Sequence, residues 1–187
     1  MQDFPQAVEK LLKYHRHDIM NILQVISGLA QLQKKDKLFA YIRKASEEIQ
    51  QFSRFIGCGD IRFALIVYEE LLKEFKGTYS LHVENTVPLI AKDILQSLPL
   101  VLAAVRECLA DCNCPHLKVR IQGGDISELW LVLPGRAIND SSFWRPAEKT
   151  AEKCGISTLQ EKGKFCILLD KQAFPGENKA DRSERQE

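Results

Sequence analysis

The residues best suited to chemistry lie within the first thirty: Arg16-His17-Asp18-Ile19-Met20-Asn21, followed by Leu23. They fall in a strongly helical segment. At about 100° per residue of an α-helix, Leu12, His15, Ile19, Ile22, Ile26 and Leu29 make one apolar stripe. His17 projects roughly opposite that stripe, between a guanidinium and a carboxylate. An imidazole on a rigid rod and open to water is poorly placed for a core and well placed as a nucleophile toward another protein. Asn21 lies one turn on, and Met20, Gln24, Gly28 and Gln31 continue the same exposed face. Gly28 weakens helix propensity, but its missing side chain lets a partner's backbone come close. His15 falls in the apolar seam and reads as a packed histidine. His82, within a predicted strand, and His116, beside Pro115, read as structural.

The elements that must position this face follow from periodicity. Residues 5 to about 34 read as one long helix, with Pro5 in its first turn. Lys34-Lys35-Asp36 reads as a turn, with cations at the helix C-terminus where the dipole favours them. A second helix carries Leu38, Ile42, Ala45, Ile49, Phe52 and Ile56 at four-three spacing, and Gly57-Cys58-Gly59-Asp60 stops it. Residues 1–57 therefore form a helical hairpin with one apolar seam per helix. Two such helices bury too little to stand alone, so the hairpin is expected to dimerise as a four-helix bundle or to dock onto the rest of the chain.

From residue 60 the rhythm changes. Asp60 reads as the N-cap of a helix at about 61–76 that Gly77 ends. Residues 78–84 alternate as a strand. A helix is expected at 91–111, with Pro99 a site for a kink. Strands at 117–122 and 128–133 flank Gly123-Gly124-Asp125 as a hairpin. A short helix at 141–154 and a last strand pair at 157–160 and 164–169 complete an α+β sandwich over 60–174, with helices on one face of a sheet. The polar, charged segment 175–187 reads as a disordered tail.

Composition narrows the functional classes. The chain has 187 residues, a formal net charge of +1, 45% hydrophobic and 27% charged residues. The balanced charge gives no argument for nucleic acid or a membrane surface as partner. No apolar run approaches the roughly 18 residues of a membrane span, and the N-terminus does not read as a secretory signal. The six cysteines (Cys58, Cys108, Cys112, Cys114, Cys154 and Cys166) are scattered, which fits reduced thiols in a cytoplasmic protein. Cys112, Cys114 and His116 do not have the spacing of a zinc site, so no metal ligand is assigned.

The string Arg16-His17-Asp18-x-x-Asn21-x-Leu23-x-x-Ile26-x-Gly28-Leu29-x-x-Leu32 resembles the sporulation initiation phosphotransferase B family. It also resembles the related dimerisation helix of citrate- and dicarboxylate-type sensor histidine kinases. Ile19 and Ile22 depart from it, standing where an aromatic residue and a lysine are common. The element order of the second half resembles a histidine-kinase ATP-binding domain. Such domains need an asparagine-bearing helix and an acidic, glycine-rich loop. Here Arg106-Glu107-Cys108-Leu109-Ala110-Asp111 stands at the asparagine helix, with Asp111 in place of asparagine. The strand at 129–133 leads into Pro134-Gly135-Arg136-Ala137-Ile138 instead of the loop, and Gly155 and Gly163 are isolated.

The resemblance implies a cytoplasmic, homodimeric phosphorelay phosphotransferase acting in sporulation initiation. His17 would accept a phosphoryl group from the aspartate of one response-regulator receiver domain and pass it to a second. Arg16, Asp18 and Asn21 would support it, and Met20, Gln24 and Gly28 would meet the receiver. No cofactor would be bound by this chain, and Mg2+ would come from the receiver's acidic pocket. Two other readings are a sensor histidine kinase core with weak ATP use and a non-catalytic module that binds response regulators.

Overall fold

The computed structural model describes residues 4–112, 115–133, 142–161 and 163–169. The N-terminal segment is the expected hairpin. Helix α1 spans Phe4–Gln31 and α2 spans Lys35–Ile56. The turn falls earlier than its charges imply. Gln33 takes a left-handed φ of 55°, and the N–H groups of Leu32 and Lys34 return to the carbonyls of Gly28 and Leu29 at 3.0 and 3.1 Å. These bonds satisfy the last carbonyls of α1, so Lys35 and Asp36 belong to α2 and not to the turn. Asp36 then sits in the first turn of α2, where the helix dipole favours an anion.

At the other end of α2, the Gly57 N–H donates to the Ser53 carbonyl at 2.9 Å. Asp60 then caps α3 (Ile61–Val67), its Oδ1 accepting from the Arg62 N–H at 3.0 Å. The expected helix to residue 76 is shorter. After Val67 it widens into a π-helical turn over Tyr68–Leu72 and stops there. The wider turn carries an extra residue, and Tyr68, Leu71 and Leu72 within it are buried.

The second half is an α+β sandwich. Strands β1 (Thr78–Val83), β2 (His116–Gln122), β3 (Glu128–Val132), β4 (Thr158–Glu161) and β5 (Lys164–Leu168) form one sheet in the order β1-β2-β3-β5-β4. β1 and β2 are parallel because α4 (Lys92–Asp111) crosses between them; the other pairs are antiparallel. Helix α4 runs continuously through Pro99. Alternation along the strands puts Leu117, Val119, Ile121, Leu129 and Leu131 on the helix side, all fully buried. They meet Leu98, Val101, Leu102 and Val105 of α4 and Ala147 and Ala151 of α5 (Arg145–Lys153). Trp144 stacks on Phe165 with ring centroids 5.1 Å apart. The opposite face of the sheet is polar, with Lys118, Arg120, Glu128, Trp130 and Lys164 lining a shallow groove.

The hairpin packs on this sandwich. α1 and α2 meet α3, and α2 lies against the edge strand β1. The connection between the halves is rigidly built. Gly59 has φ +120°, and a Cβ there would stand 2.1 Å from the Val87 carbonyl oxygen. The Val87 N–H donates to the Cys58 carbonyl at 2.6 Å. Buried Asp60 receives the Arg62 guanidinium at 2.9 and 2.6 Å and the Ile90 N–H at 3.0 Å. The segment 84–91 is thereby tied to the foot of the hairpin.

Candidate functional site

Helix α1 presents the predicted triplet to solvent. The side chain of His17 is 74% exposed and that of Asp18 70% exposed. Asn21, one turn on, brings its side-chain nitrogen to 3.2 Å from His17 Nδ1. Asp18 Oδ1 lies 3.8 Å from the same ring nitrogen, too far for a hydrogen bond but close enough for attraction. Both neighbours therefore meet Nδ1, and among the described residues no hydrogen bond reaches Nε2. The site thus offers an accessible imidazole whose inner nitrogen is occupied by its own helix and whose outer nitrogen is open.

Arg16, Met20 and Gln24 are exposed on the same side. A Cβ added to Gly28 would meet nothing within 4 Å, so the open space that its missing side chain was expected to provide is present. Arg16, His17, Asp18, Met20, Asn21, Gln24 and Gly28 thus all lie on α1. His15 is set apart from them. It stacks on Phe52 of α2 with centroids 4.4 Å apart and an interplanar angle of 17°. Phe52 in turn meets Phe55 and the edge of Tyr68 at 6.3 and 6.1 Å. This aromatic row ties α1 to α2 and to the π-helical turn of the sandwich. His15 is packed as its phase in the apolar seam requires.

Residues 4–58 match the model of the family described as "Sensor_kinase_SpoOB-type, alpha-helical domain". Over these residues the helical hairpin is similar to the SpoOB-type alpha-helical domain. No curated protein matches the chain. The family match covers α1, α2 and their connection to α3 and places the hairpin in two-component signalling. The SpoOB-type match ends two residues before Asp60, where the sandwich begins.

The other sequence-named histidines have partners within the sandwich. His82 Nε2 on β1 lies 3.5 Å from Oε1 of Glu84, just past the strand. His116 contacts the hydroxyls of Thr78 and Ser80 at 2.9 and 3.1 Å across the β1–β2 pair. Among the described residues no His, Cys, Asp and Glu group could hold a metal ion. Cys114 lies outside the described residues, as do 134–141, where the glycine-rich loop was sought, and the tail 175–187. No described helix is long and apolar enough to cross a membrane.

One residue within electrostatic range of Asp18 was missed. Tyr79 of β1 lies close enough to Asp18 and Glu48 for both carboxylates to act on its phenol. Burial first, and then those two charges, push its pKa above the ordinary tyrosine value. Asp18 and Glu48 come level because the hairpin is antiparallel about its turn. The available signal was the alternation Tyr79-Ser80-Leu81, which puts Tyr79 on the same side of β1 as buried Leu81. No pattern in the sequence says that α2 would cover that side.

Proposed function

We propose that the protein is a phosphorelay phosphotransferase in which His17 carries a phosphoryl group between the aspartates of two receiver domains. The observation that carries this reading is His17 itself: an open imidazole on a SpoOB-type helix, with Asn21 and Asp18 at Nδ1 and Nε2 unoccupied. In the neutral tautomer with its proton on Nδ1, that N–H faces the Asp18 carboxylate. It also faces the Asn21 carboxamide, which accepts when its oxygen is turned toward the ring. The Nε2 lone pair then attacks the phosphorus of a receiver's aspartyl phosphate. The N–P bond forms as the P–O bond to the aspartate breaks, and the aspartate leaves as a carboxylate. Attraction to Asp18 stabilises the positive charge that develops on the ring. The reverse chemistry on a second receiver returns the phosphoryl group to an aspartate.

Arg16 is suited to bond phosphoryl oxygens or partner carboxylates through its planar fork. Met20, Gln24 and Gly28 form the surface on which the receiver docks. Mg2+ belongs to the receiver's acidic pocket, and none of this chain's residues is assigned to it. The hairpin is read as half of a homodimeric four-helix bundle. Leu12 and Leu23 support this, being 62% and 52% exposed on one side of α1, with Phe39 at 69% and Ile42 at 37% on α2. The C-terminal sandwich is read as a degenerate ATP-binding domain, because Pro134-Gly135-Arg136 stands where an acidic, glycine-rich loop is required. Sporulation initiation is the proposed output of the relay.

The test is phosphotransfer from a labelled, phosphorylated receiver domain to the purified full chain. His17→Ala should abolish acceptance while the circular dichroism spectrum stays unchanged. Asn21→Ala should slow it without abolishing it. The phosphate should be acid-labile and base-stable, as a phosphoramidate is. Labelling of His17 directly from ATP would favour the kinase reading. Receiver binding that survives His17→Ala, without any transfer by the wild type, would favour a sequestering module.

A further inference from the structure

His116 opens β2, and the neighbouring strand meets both of its ring nitrogens. Thr78 and Ser80 of β1 are two residues apart and so share one side of the sheet, and Thr78 is the register partner of His116 in the parallel β1–β2 pair. Thr78 Oγ1 lies 2.9 Å from Nδ1 and Ser80 Oγ 3.1 Å from Nε2. The Thr78 hydroxyl donates to the Pro115 carbonyl at 3.2 Å. A hydroxyl has one proton, so that bond leaves the Thr78 oxygen to accept from Nδ1–H. Nε2 of the neutral ring then carries the lone pair, and the Ser80 hydroxyl donates to it. The chain of bonds runs in one direction, from Ser80 through His116 and Thr78 to the Pro115 carbonyl. Thr78 and Ser80 are both exposed.

A serine bonded to an imidazole whose other nitrogen is held by a third group is the arrangement that activates a hydroxyl for attack on a carbonyl carbon. Lys118, the register partner of Ser80, is exposed on the same face. Neighbouring strands lie about 4.8 Å apart, which puts an ammonium within reach of the carbonyl oxygen that becomes negative during attack. One flexible ammonium stabilises that oxygen less than fixed backbone N–H groups would, so the leaving group must depart readily, as a phenolate does. Lys118 also lines the groove that continues to Val132 and Trp130, where an aryl group has apolar surface to rest on.

We propose that Ser80 is an acyl-accepting nucleophile with His116 as its general base, and that it reacts with aryl esters of small carboxylic acids. Ser80 Oγ bonds to the ester carbonyl carbon as its proton passes to His116 Nε2. The bond from that carbon to the aryl oxygen breaks, the phenol leaves with the proton from Nε2, and the acyl group stays on Ser80 as an ester. Water, deprotonated by the same nitrogen, then attacks the acyl-serine, which releases the carboxylic acid and restores the Ser80 hydroxyl. Thr78 touches no reacting atom; it is a positioning residue that holds the tautomer with its proton on Nδ1. The site lies in the sandwich and uses neither His17 nor a nucleotide.

The test mixes the full chain with p-nitrophenyl acetate, follows nitrophenolate release by absorbance and locates the acetyl group by peptide mass mapping. Neutral hydroxylamine removes an ester from serine and leaves an amide on lysine. The wild type should carry a hydroxylamine-labile acetyl group on Ser80, and Ser80→Ala should not. His116→Gln should form it about a hundredfold more slowly, the scale of general-base catalysis. Thr78→Val should slow acylation about tenfold, as a misoriented base does, and Thr78→Ser, which keeps the hydroxyl, should restore the rate. Acetyl groups found only on lysines or on other histidines, wild-type acylation in His116→Gln, or Thr78→Ser as slow as Thr78→Val each overturns the proposal. If circular dichroism shows His116→Gln unfolded, His116→Asn takes its place, and the Thr78 pair decides independently of both.

Discussion

The hairpin and the sandwich use their apolar residues differently. In the sandwich, Leu98, Leu102, Leu117, Leu129, Leu131, Phe165 and Ile167 are completely or almost completely withdrawn from water. In the hairpin only Leu11, Ala45 and Phe55 are buried among the described apolar side chains of α1 and α2, and Leu12, Leu23, Leu32 and Phe39 stand more than half exposed. The sandwich closes its core with a sheet and with α3, its π-helical turn, α4 and α5. The hairpin is two rods, and each seam has one covered flank and one open flank. A region that finishes its own core is built for stability. A region that leaves an apolar flank beside an exposed histidine is built to meet other molecules.

Substitutions should separate the two regions, and the largest effect is expected in the sandwich. Phe165 is fully buried and stacked on Trp144. Phe165→Ala should cost about 3–5 kcal/mol, read as a lower denaturation midpoint in urea that does not depend on protein concentration. A loss under 1 kcal/mol would mean that the sandwich core is not close-packed.

The junction comes next. Asp60 serves both regions: it caps α3, pairs with Arg62 and holds Ile90. Asp60→Ala should cost about 2–3 kcal/mol, from a lost cap and an orphaned buried N–H. Its ionisation gives a second reading. Burial works to raise the Asp60 pKa. The Arg62 side chain and the N–H groups of Ile90 and Arg62 outweigh burial, and the carboxyl is held below its ordinary value. A group whose pKa is depressed on folding contributes stability that is present above its unfolded value, near about 3.9, and is lost as pH falls through the folded value. Wild-type stability should therefore fall faster than that of Asp60→Asn below about pH 4. Parallel pH profiles for the two proteins would remove Asp60 from the account of the junction.

The smallest effect on the single chain is expected on the open flank of the hairpin. Leu12→Asp should change the stability of the monomeric chain by no more than about 0.5 kcal/mol, because the side chain is already in water. It should, however, abolish self-association. Sedimentation at micromolar concentration should find a dimer for the wild type and a monomer for Leu12→Asp. A wild type that sediments as a monomer would leave the open flank without the second copy proposed for it.

Much of this was legible in the residues. The 3.6-residue period of Leu12, Ile19, Ile22, Ile26 and Leu29 fixes the phase of α1, and that phase alone puts His17 out and His15 in. Gly57, Gly59 and Asp60 mark the junction because a helix stop, a left-handed φ and an N-cap each demand particular side chains. The strand alternation of 117–122 and 128–133 assigns the buried face of the sheet. The π-helical turn at Tyr68–Leu72 was not legible, since one additional residue in a turn changes no local pattern until the neighbouring core fixes which side chains it buries. The turn after Gln31 was misplaced because lysine charge is a weak signal beside the backbone bonds that close α1.

The sequence by itself determined the hairpin, the orientation of His17 and the identities of the residues around it. These depend on contacts within one or two helical turns, where periodicity and side-chain type suffice. Tertiary structure alone decided that His15 stacks on Phe52, that Asp60 holds Ile90 thirty residues away, and that α2 packs on the edge strand β1. Each of these pairs joins segments brought together by the burial of residues elsewhere, and no local pattern encodes the meeting.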